Sequence, residues 1–356
     1  MGNFMAESSH DSPVGKAFRA AIDEACRFVG ATAPNPSVGC ALLDESGHIL
    51  AVAAHHRAGQ LHAEALALRQ CSGRGLTHRI HSAVVTLEPC NHTGRTPPCT
   101  EALLATPVKS VWIGCADPDP NVAGGGAERL KAAGRDVFRI SEFADVVPDA
   151  QRIAKDCRAL IAPFRMRCRE GKAWITVKQA VDGRGSMIPP VGQKTFTSVA
   201  SLELAHRLRR GTDAIITGTG TIRADLPGFD VRHVEDHPAR RRLLMICGRS
   251  GDLPESWLEK AALRFDVMWC ASVEEAPRLL AEKGALWALV EAGPSLVRAM
   301  DERELWDDWL RIEVLPEGGE RVSVRERHAV SPLSLIPGIG HEPARPALSS
   351  HLVERV

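Results

Sequence analysis

The sequence lacks any excess of charge: 44 basic side chains stand against 44 acidic ones in 356 residues, and the formal net charge is zero. Sustained contact with phosphate backbones leaves a basic excess or stripe, so nucleic acid is not an expected partner. The short basic run Arg240-Arg241-Arg242 follows a proline and reads as a solvated turn. Long apolar runs are also missing. Nothing approaches the roughly 18 residues that a membrane span needs, and the chain starts without an apolar signal segment. Its ten cysteines are spread from Cys26 to Cys270 through a large chain, which fits small core residues in the reducing cytoplasm better than a secreted disulfide framework. Met1-Gly2 begins like a myristoylation signal, but position six is Ala6 where Ser or Thr is required. A complete Gly-x-Gly-x-x-Gly fingerprint is absent as well, since Gly218-Thr219-Gly220-Thr221 has no third glycine, and a Rossmann reading has little support.

What is present is enough for two domains with proper cores. Phe18, Ala21, Ile22, Ala25, Phe28 and Val29 recur at helical spacing. Two short apolar runs around Asp44-Glu45-Ser46-Gly47 predict a hairpin. A helix is expected to start just before His62, with Glu64 in its exposed first turn. A buried strand over 84–87, a helix over 100–105, a strand over 108–114 and a helix over 127–133 follow. Strands alternating with helices predict a three-layer α/β sandwich. The pattern changes around 147–151, which sets the expected boundary near 148, between domains 1–147 and 148–356. A second alternation runs from a strand at Trp174 to one ending at Glu291. The tail after Pro316 is rich in proline and poor in apolar periods, so a final strand pair is not expected there.

The chemistry is concentrated between His62 and Cys99. His62-Ala63-Glu64, then Pro89-Cys90, then Pro98-Cys99, is the residue set of zinc-dependent nucleobase deaminases. His62, Cys90 and Cys99 are the expected metal ligands, with the fourth corner left open for water as in catalytic rather than structural zinc sites. Glu64 is expected to be catalytic, taking a proton from that water and handing it to the leaving amine. The usual short form is Pro-Cys-x-x-Cys, whereas here eight residues separate the cysteines. A closed zinc clip with His92 as fourth ligand is the competing reading, and it leaves Glu64 without a role.

One family has the longer spacing. Asn35-Pro36-Ser37-Val38-Gly39, His55-His56-Arg57-Ala58-Gly59, His62-Ala63-Glu64 and EPCNHTGRTPPC occur in that order. They resemble the deaminase half of the bifunctional riboflavin-biosynthesis deaminase/reductase. The resemblance implies a cytidine-deaminase-like fold and, as substrate, the pyrimidine ribotide 2,5-diamino-6-ribosylamino-4(3H)-pyrimidinone 5′-phosphate. Asn35, His55, His92 and Arg95 are then expected to bind it.

The second half resembles the reductase of the same enzyme, through Asp182-Gly183-Arg184, Arg209, the stretch from Asp213 to Asp225, Arg232 and Glu291-Ala292-Gly293-Pro294-Ser295-Leu296. The resemblance implies a dihydrofolate-reductase-like α/β domain that reduces a ribosyl group to ribityl with NADPH. Ala180, Thr221, Asp225, Gly293, Pro294, Ser295 and Leu296 are then expected at the dinucleotide, and Arg209, Arg232 and Glu291 at the substrate, with paired arginines suiting its phosphate. The chain departs from the family where Lys178-Gln179-Ala180-Val181 runs straight into Asp182, and where Leu226 and Cys247 replace expected aspartates. Expected cofactors are Zn²⁺ and NADPH; expected partners are the ribotide and further copies of the chain in a homo-oligomer, with neither nucleic acid nor membrane. Three alternatives stay open: a monofunctional deaminase with a degenerate reductase domain, a nucleoside or tRNA-base deaminase, and a non-catalytic assembly protein.

Overall fold

A computed structural model describes residues 12–92, 97–119, 125–190, 192–193, 195–248, 253–339 and 353–355. The chain forms two compact units, one holding the residues through Phe28 and Asn35–Ile161, the other Val29–Pro34 and everything from Ala162 onward.

In the first unit, helix α1 (Pro13–Cys26) is started by Ser12, whose hydroxyl accepts from the Gly15 N–H at 3.0 Å, and by Pro13 in the first turn. Its buried face is Ala17, Phe18, Ala21, Ile22 and Ala25, the expected apolar stripe. Strands β1 (Gly39–Leu43) and β2 (Ile49–Ala54) form the expected hairpin. Gly39 lets α1 lie directly on β1, since a Cβ there would sit 1.9 Å from the Ala21 carbonyl oxygen. Next come α2 (Ala63–Gly73), β3 (Ser82–Val85), α3 (Cys99–Leu104), β4 (Ser110–Ile113), α4 (Gly125–Ala132), β5 (Asp136–Arg139) and α5 (Ala150–Leu160). The sheet order is β2-β1-β3-β4-β5, with β1 antiparallel to β2 and β3 and the last three strands parallel. α1 and α5 pack together, as do α2, α3 and α4 in series, giving the three layers.

The division falls after Ile161, not near 148. Helix α5 belongs with the first unit because its apolar face (Ile153, Ala154, Cys157) is buried where α5 packs on α1, and because Arg19 pairs with Asp149 just before it. A pattern change in sequence marks where a helix starts, whereas the domain edge depends on what that helix packs against.

The second unit comprises α6 (Ala162–Glu170), β6 (Trp174–Val181), α7 (Val199–Gly211), β7 (Ala214–Gly218), α8 (Thr219–Asp225), β8 (Arg242–Cys247), α9 (Glu255–Ala262), β9 (Phe265–Cys270), α10 (Ala276–Glu282), β10 (Trp287–Val290), α11 (Pro294–Glu302), β11 (Asp308–Val314), β12 (Glu320–Glu326) and β13 (Val353–Arg355). Its sheet runs β13-β12-β11-β6-β10-β7-β8-β9. The strands from β11 to β9 are mutually parallel, and β12 is antiparallel to β11. The expectation of no final strand pair is overturned: β11 and β12 are joined across Gly318-Gly319, both with positive φ (94° and 84°), and β13 adds alongside β12. Only Val322 and Val324 of β12 are buried, too few for a periodic signal. The Gly-Gly pair was the readable sign of that hairpin. Among the described residues no helix is long and apolar enough to cross a membrane.

Candidate active sites

The first site is built where two helices start. His62 is the extended N-cap of α2, and Cys99 is the first residue of α3. Cys90 lies on the segment leaving β3. His62 Nδ1 stands 3.6 Å from Cys90 Sγ and 3.4 Å from Cys99 Sγ, and the Cys99 backbone N–H donates to Cys90 Sγ at 3.4 Å. The three ligand atoms all lie within 4.8 Å of one another. Zinc bonds of about 2.3 Å to sulfur and 2.0 Å to nitrogen, at tetrahedral angles, need an N···S edge of about 3.6 Å. The donor set therefore fits zinc. Its charge state is partly prepared by the protein: the Cys99 thiol, with His62, holds Cys90 down to about 4, while the neighbouring Cys90 and burial push Cys99 up.

Glu64 does not sit in an exposed turn as the sequence suggests. It is 3% exposed, because the first turn of α2 faces the core through Ala63 and Ala67. Burial raises its carboxyl pKa above the usual range, and it touches Cys99. A buried carboxyl beside the metal ligands can both hold and release a proton.

Asn35 and His55 meet at the same place. The His55 ring lies edge-on to His62 with centroids 5.3 Å apart. Its Nδ1 faces the Leu61 carbonyl oxygen at 3.0 Å and its Nε2 faces Asn35 Nδ2 at 3.1 Å. The carbonyl can only accept, so Nδ1 carries the proton and Nε2 accepts from the Asn35 amide. Burial lowers the His55 pKa and keeps the ring neutral. His92 is exposed and lies near Asp117, whose carboxyl pKa burial raises. Arg95 lies outside the described residues.

Glu88, quoted above only as part of a motif, is a positioning residue that sequence reasoning missed. Its buried Oε1 accepts from the Ala127 N–H at 3.0 Å, tying the start of α4 to the segment that carries Cys90. Gly126 makes room for this, since a Cβ there would lie 1.9 Å from the Pro89 carbonyl oxygen.

In the second unit a cavity of about 710 Å³ opens at the carboxyl ends of β7, β8 and β9. Gly218-Thr219-Gly220-Thr221, Asp225 and Gly293-Pro294-Ser295-Leu296 line it, so six of the seven expected dinucleotide residues converge. Ala180 does not line it; it lies on β6, paired with Ile312 of β11. The Gly293 N–H donates to Thr221 Oγ1 at 2.8 Å, and Pro294 opens α11. A helix N-terminus beside a glycine loop suits a pyrophosphate, and the size suits a cofactor. Gly293 itself has an ordinary φ of −74°, and a Cβ there would stand 3.5 Å from Thr221 Oγ1. The departure at Leu226 is a strained one: it caps α8 with φ +44°, a region that Asn or Asp enters more readily.

The expected substrate groups are arranged differently from a pair of arginines facing a phosphate. Arg209 grips Glu291 through Nε and, at 3.0 Å, through an Nη, and its other Nη donates to the Asp230 carbonyl oxygen at 3.0 Å. Lys178, to which the sequence reading assigned no role, adds a second cation 3.3 Å from Glu291. Burial alone would raise the Glu291 pKa, but Arg209 and Lys178 outweigh it and hold the carboxyl to about 2. Arg232 keeps an exposed guanidinium, loosely paired with Asp230 at 3.3 Å.

Residues 12–115 match the cytidine and deoxycytidylate deaminase zinc-binding region, and residues 173–317 match the RibD C-terminal domain. The riboflavin biosynthesis protein RibD of Corynebacterium ammoniagenes is 33% identical over 87% of this chain and 88% of its own length. The chain belongs to the RibD family. The RibD of Escherichia coli K12 is 32% identical over 80% of this chain and 69% of its own. The solved RibD structure of Acinetobacter baumannii superposes with a TM-score of 0.72 at 29% identity, covering 86% of this chain and 88% of that one. As a RibD protein the chain joins a zinc-dependent deaminase to an NADPH-dependent reductase in riboflavin biosynthesis.

Proposed function

We propose that the chain deaminates 2,5-diamino-6-ribosylamino-4(3H)-pyrimidinone 5′-phosphate at the first site and reduces the ribosyl group of the product to ribityl at the second. The observation that carries the first half is the convergence of His62, Cys90 and Cys99 beside the buried carboxyl of Glu64. Zinc, held by those three residues, supplies the Lewis acid that makes water a nucleophile at neutral pH. Glu64 takes the proton released by the attacking water and returns it to the departing amine, and its raised pKa suits both transfers. Asn35 presents its amide to the pyrimidine in the orientation that neutral His55 sets. His92 and, by the family resemblance alone, Arg95 are assigned to the same substrate.

At the second site NADPH supplies the hydride. Thr221, Asp225, Gly293 and the first turn of α11 (Pro294, Ser295, Leu296) bind it. Glu291, kept ionised by Arg209 and Lys178, accepts hydrogen bonds from the sugar hydroxyls, and the exposed Arg232 takes the phosphate. The converged cavity favours a working reductase over a degenerate one.

A small-molecule ribotide in the cytoplasm is the setting this reading requires. The chain is expected to self-associate into a homo-oligomer, which sedimentation of the purified protein tests. The deciding experiment supplies zinc-loaded protein with the ribotide and follows ammonia release, then supplies the deaminated intermediate and follows NADPH oxidation. Faster deamination of cytidine or adenosine than of the ribotide would overturn the substrate. Failure to oxidise NADPH with the intermediate supplied, while deamination proceeds, would reduce the chain to a monofunctional deaminase.

A further inference from the structure

Cys247 ends β8 and Cys270 ends β9, and the two are register partners on adjacent parallel strands. Both thiols are free, both belong to one core cluster, and they are close enough to act as hydrogen-bonding neighbours. Adjacent strands lie about 4.8 Å apart, inside the 4.4–6.8 Å between Cα atoms that a disulfide spans. Cys247 and Gly248 wall the dinucleotide cavity, and so do Ala271 and Ser272, which directly follow Cys270.

We propose that Cys247 and Cys270 are an oxidisable dithiol, and that their cross-strand disulfide closes the cavity to NADPH. The inference rests on the reading that this cavity holds NADPH. In the step, two S–H bonds break and one S–S bond forms. The two electrons and two protons pass to an oxidant of the peroxide class, whose O–O bond is cleaved to two waters when it is hydrogen peroxide.

Closure follows from what the thiols hold. Cys270 Sγ donates to the Ser272 carbonyl oxygen at 2.7 Å, and this bond is lost when its proton leaves. The Gly248 N–H donates to the Cys270 carbonyl oxygen at 3.0 Å, so the two strand ends move together. Gly248 neighbours Thr219, since a Cβ built at Gly248 would lie 3.0 Å from its Oγ1. Turning Cys270 Sγ away from the Ser272 carbonyl to meet Cys247 Sγ therefore releases Ser272 and, through the Gly248 tie to Cys270, disturbs Gly248 and its neighbour Thr219, three parts of the cavity wall. Burial keeps the Cys247 thiol protonated at neutral pH, so oxidation is slow, and bound NADPH shields Cys247 further.

The test uses the zinc-loaded full chain, whose Cys90 and Cys99 are held by metal, treated with hydrogen peroxide with and without NADPH. Peptide mapping reads the disulfide, and fluorescence titration reads NADPH affinity before and after. We expect a Cys247–Cys270 disulfide, at least a tenfold loss of affinity reversed by dithiothreitol, and protection by NADPH. The Cys270→Ala protein, compared with itself before treatment, should keep its affinity. No such disulfide in a protein that binds NADPH when reduced, or a disulfide with affinity unchanged, overturns the inference alone. Equal loss of affinity in treated Cys270→Ala does the same. A fully reduced protein that binds no NADPH overturns the reading of the cavity and this inference with it.

Discussion

Arg209 and Glu291 form a forked pair inside the reductase unit, with side chains 15% and 6% exposed. The pair explains why an ionised carboxylate survives at the end of a buried strand. Removing one member of such a pair costs about 3–5 kcal/mol because the other charge is left uncompensated. Arg209→Ala should lower the stability of the reductase unit by an amount of that order and cut kcat of reduction more than KM, with deamination unchanged. Glu291 has a folded pKa depressed to about 2 from the ordinary 4.5. Its contribution is thus complete above about 4.5 and is lost as pH falls toward 2. Urea titrations of both proteins at pH 3 and pH 6 should show the wild type losing this contribution and the variant losing less, because only Lys178 is left to hold Glu291 ionised.

Glu64→Gln should keep zinc and fold while deamination falls on the order of 10²–10⁴, the usual worth of a general acid–base group. Reduction of supplied intermediate should be untouched. Cys99→Ser should lose zinc. Elemental analysis showing full zinc in the Cys99→Ser protein would falsify the ligand assignment.

Two glycines should behave in opposite ways. At Gly126 an added Cβ meets the Pro89 carbonyl at 1.9 Å, so Gly126→Ala should displace the Cys90 segment, weaken zinc binding and lower stability by about 1–3 kcal/mol. At Gly293 the backbone and neighbours accept a Cβ. Gly293→Ala should melt like the wild type but bind NADPH about tenfold more weakly, because the methyl group enters the cavity wall that faces a phosphate. Thermal melts and NADPH titrations on the two variants separate the effects.

Asp308 is fully buried at the start of β11, where its Oδ2 accepts from Trp174 Nε1 at 2.6 Å, and burial raises its pKa to about 8. The folded protein thus holds a proton that the unfolded chain releases near pH 4. Stability from this group is complete below about pH 4 and declines as pH rises to about 8, at roughly 1.4 kcal/mol per pH unit. Asp308→Asn keeps the acceptor without the charge, so its urea midpoint should fall less than that of the wild type between pH 5 and pH 9.

The zinc ligands, Glu64 and the order of the deaminase elements were legible because they are local. A ligand type, a proline before a cysteine and a helix start are written in contiguous residues. The stretches expected at the dinucleotide are short and glycine-bearing, and six of their seven residues line one cavity. The edge strand β12 escaped notice because two buried valines make too short a period.

Only the tertiary structure decided which partner each side chain has. It turned Glu64 inward, gave Arg209 to Glu291 across 82 positions of chain, joined α5 to the first unit and set Cys247 beside Cys270. Burial, charge pairing and strand register arise between segments distant in sequence, and their energies depend on the water that packing excludes. The residue types available for chemistry were therefore determined by the sequence alone, while their protonation, pairing and exposure were determined by what folding brought against them.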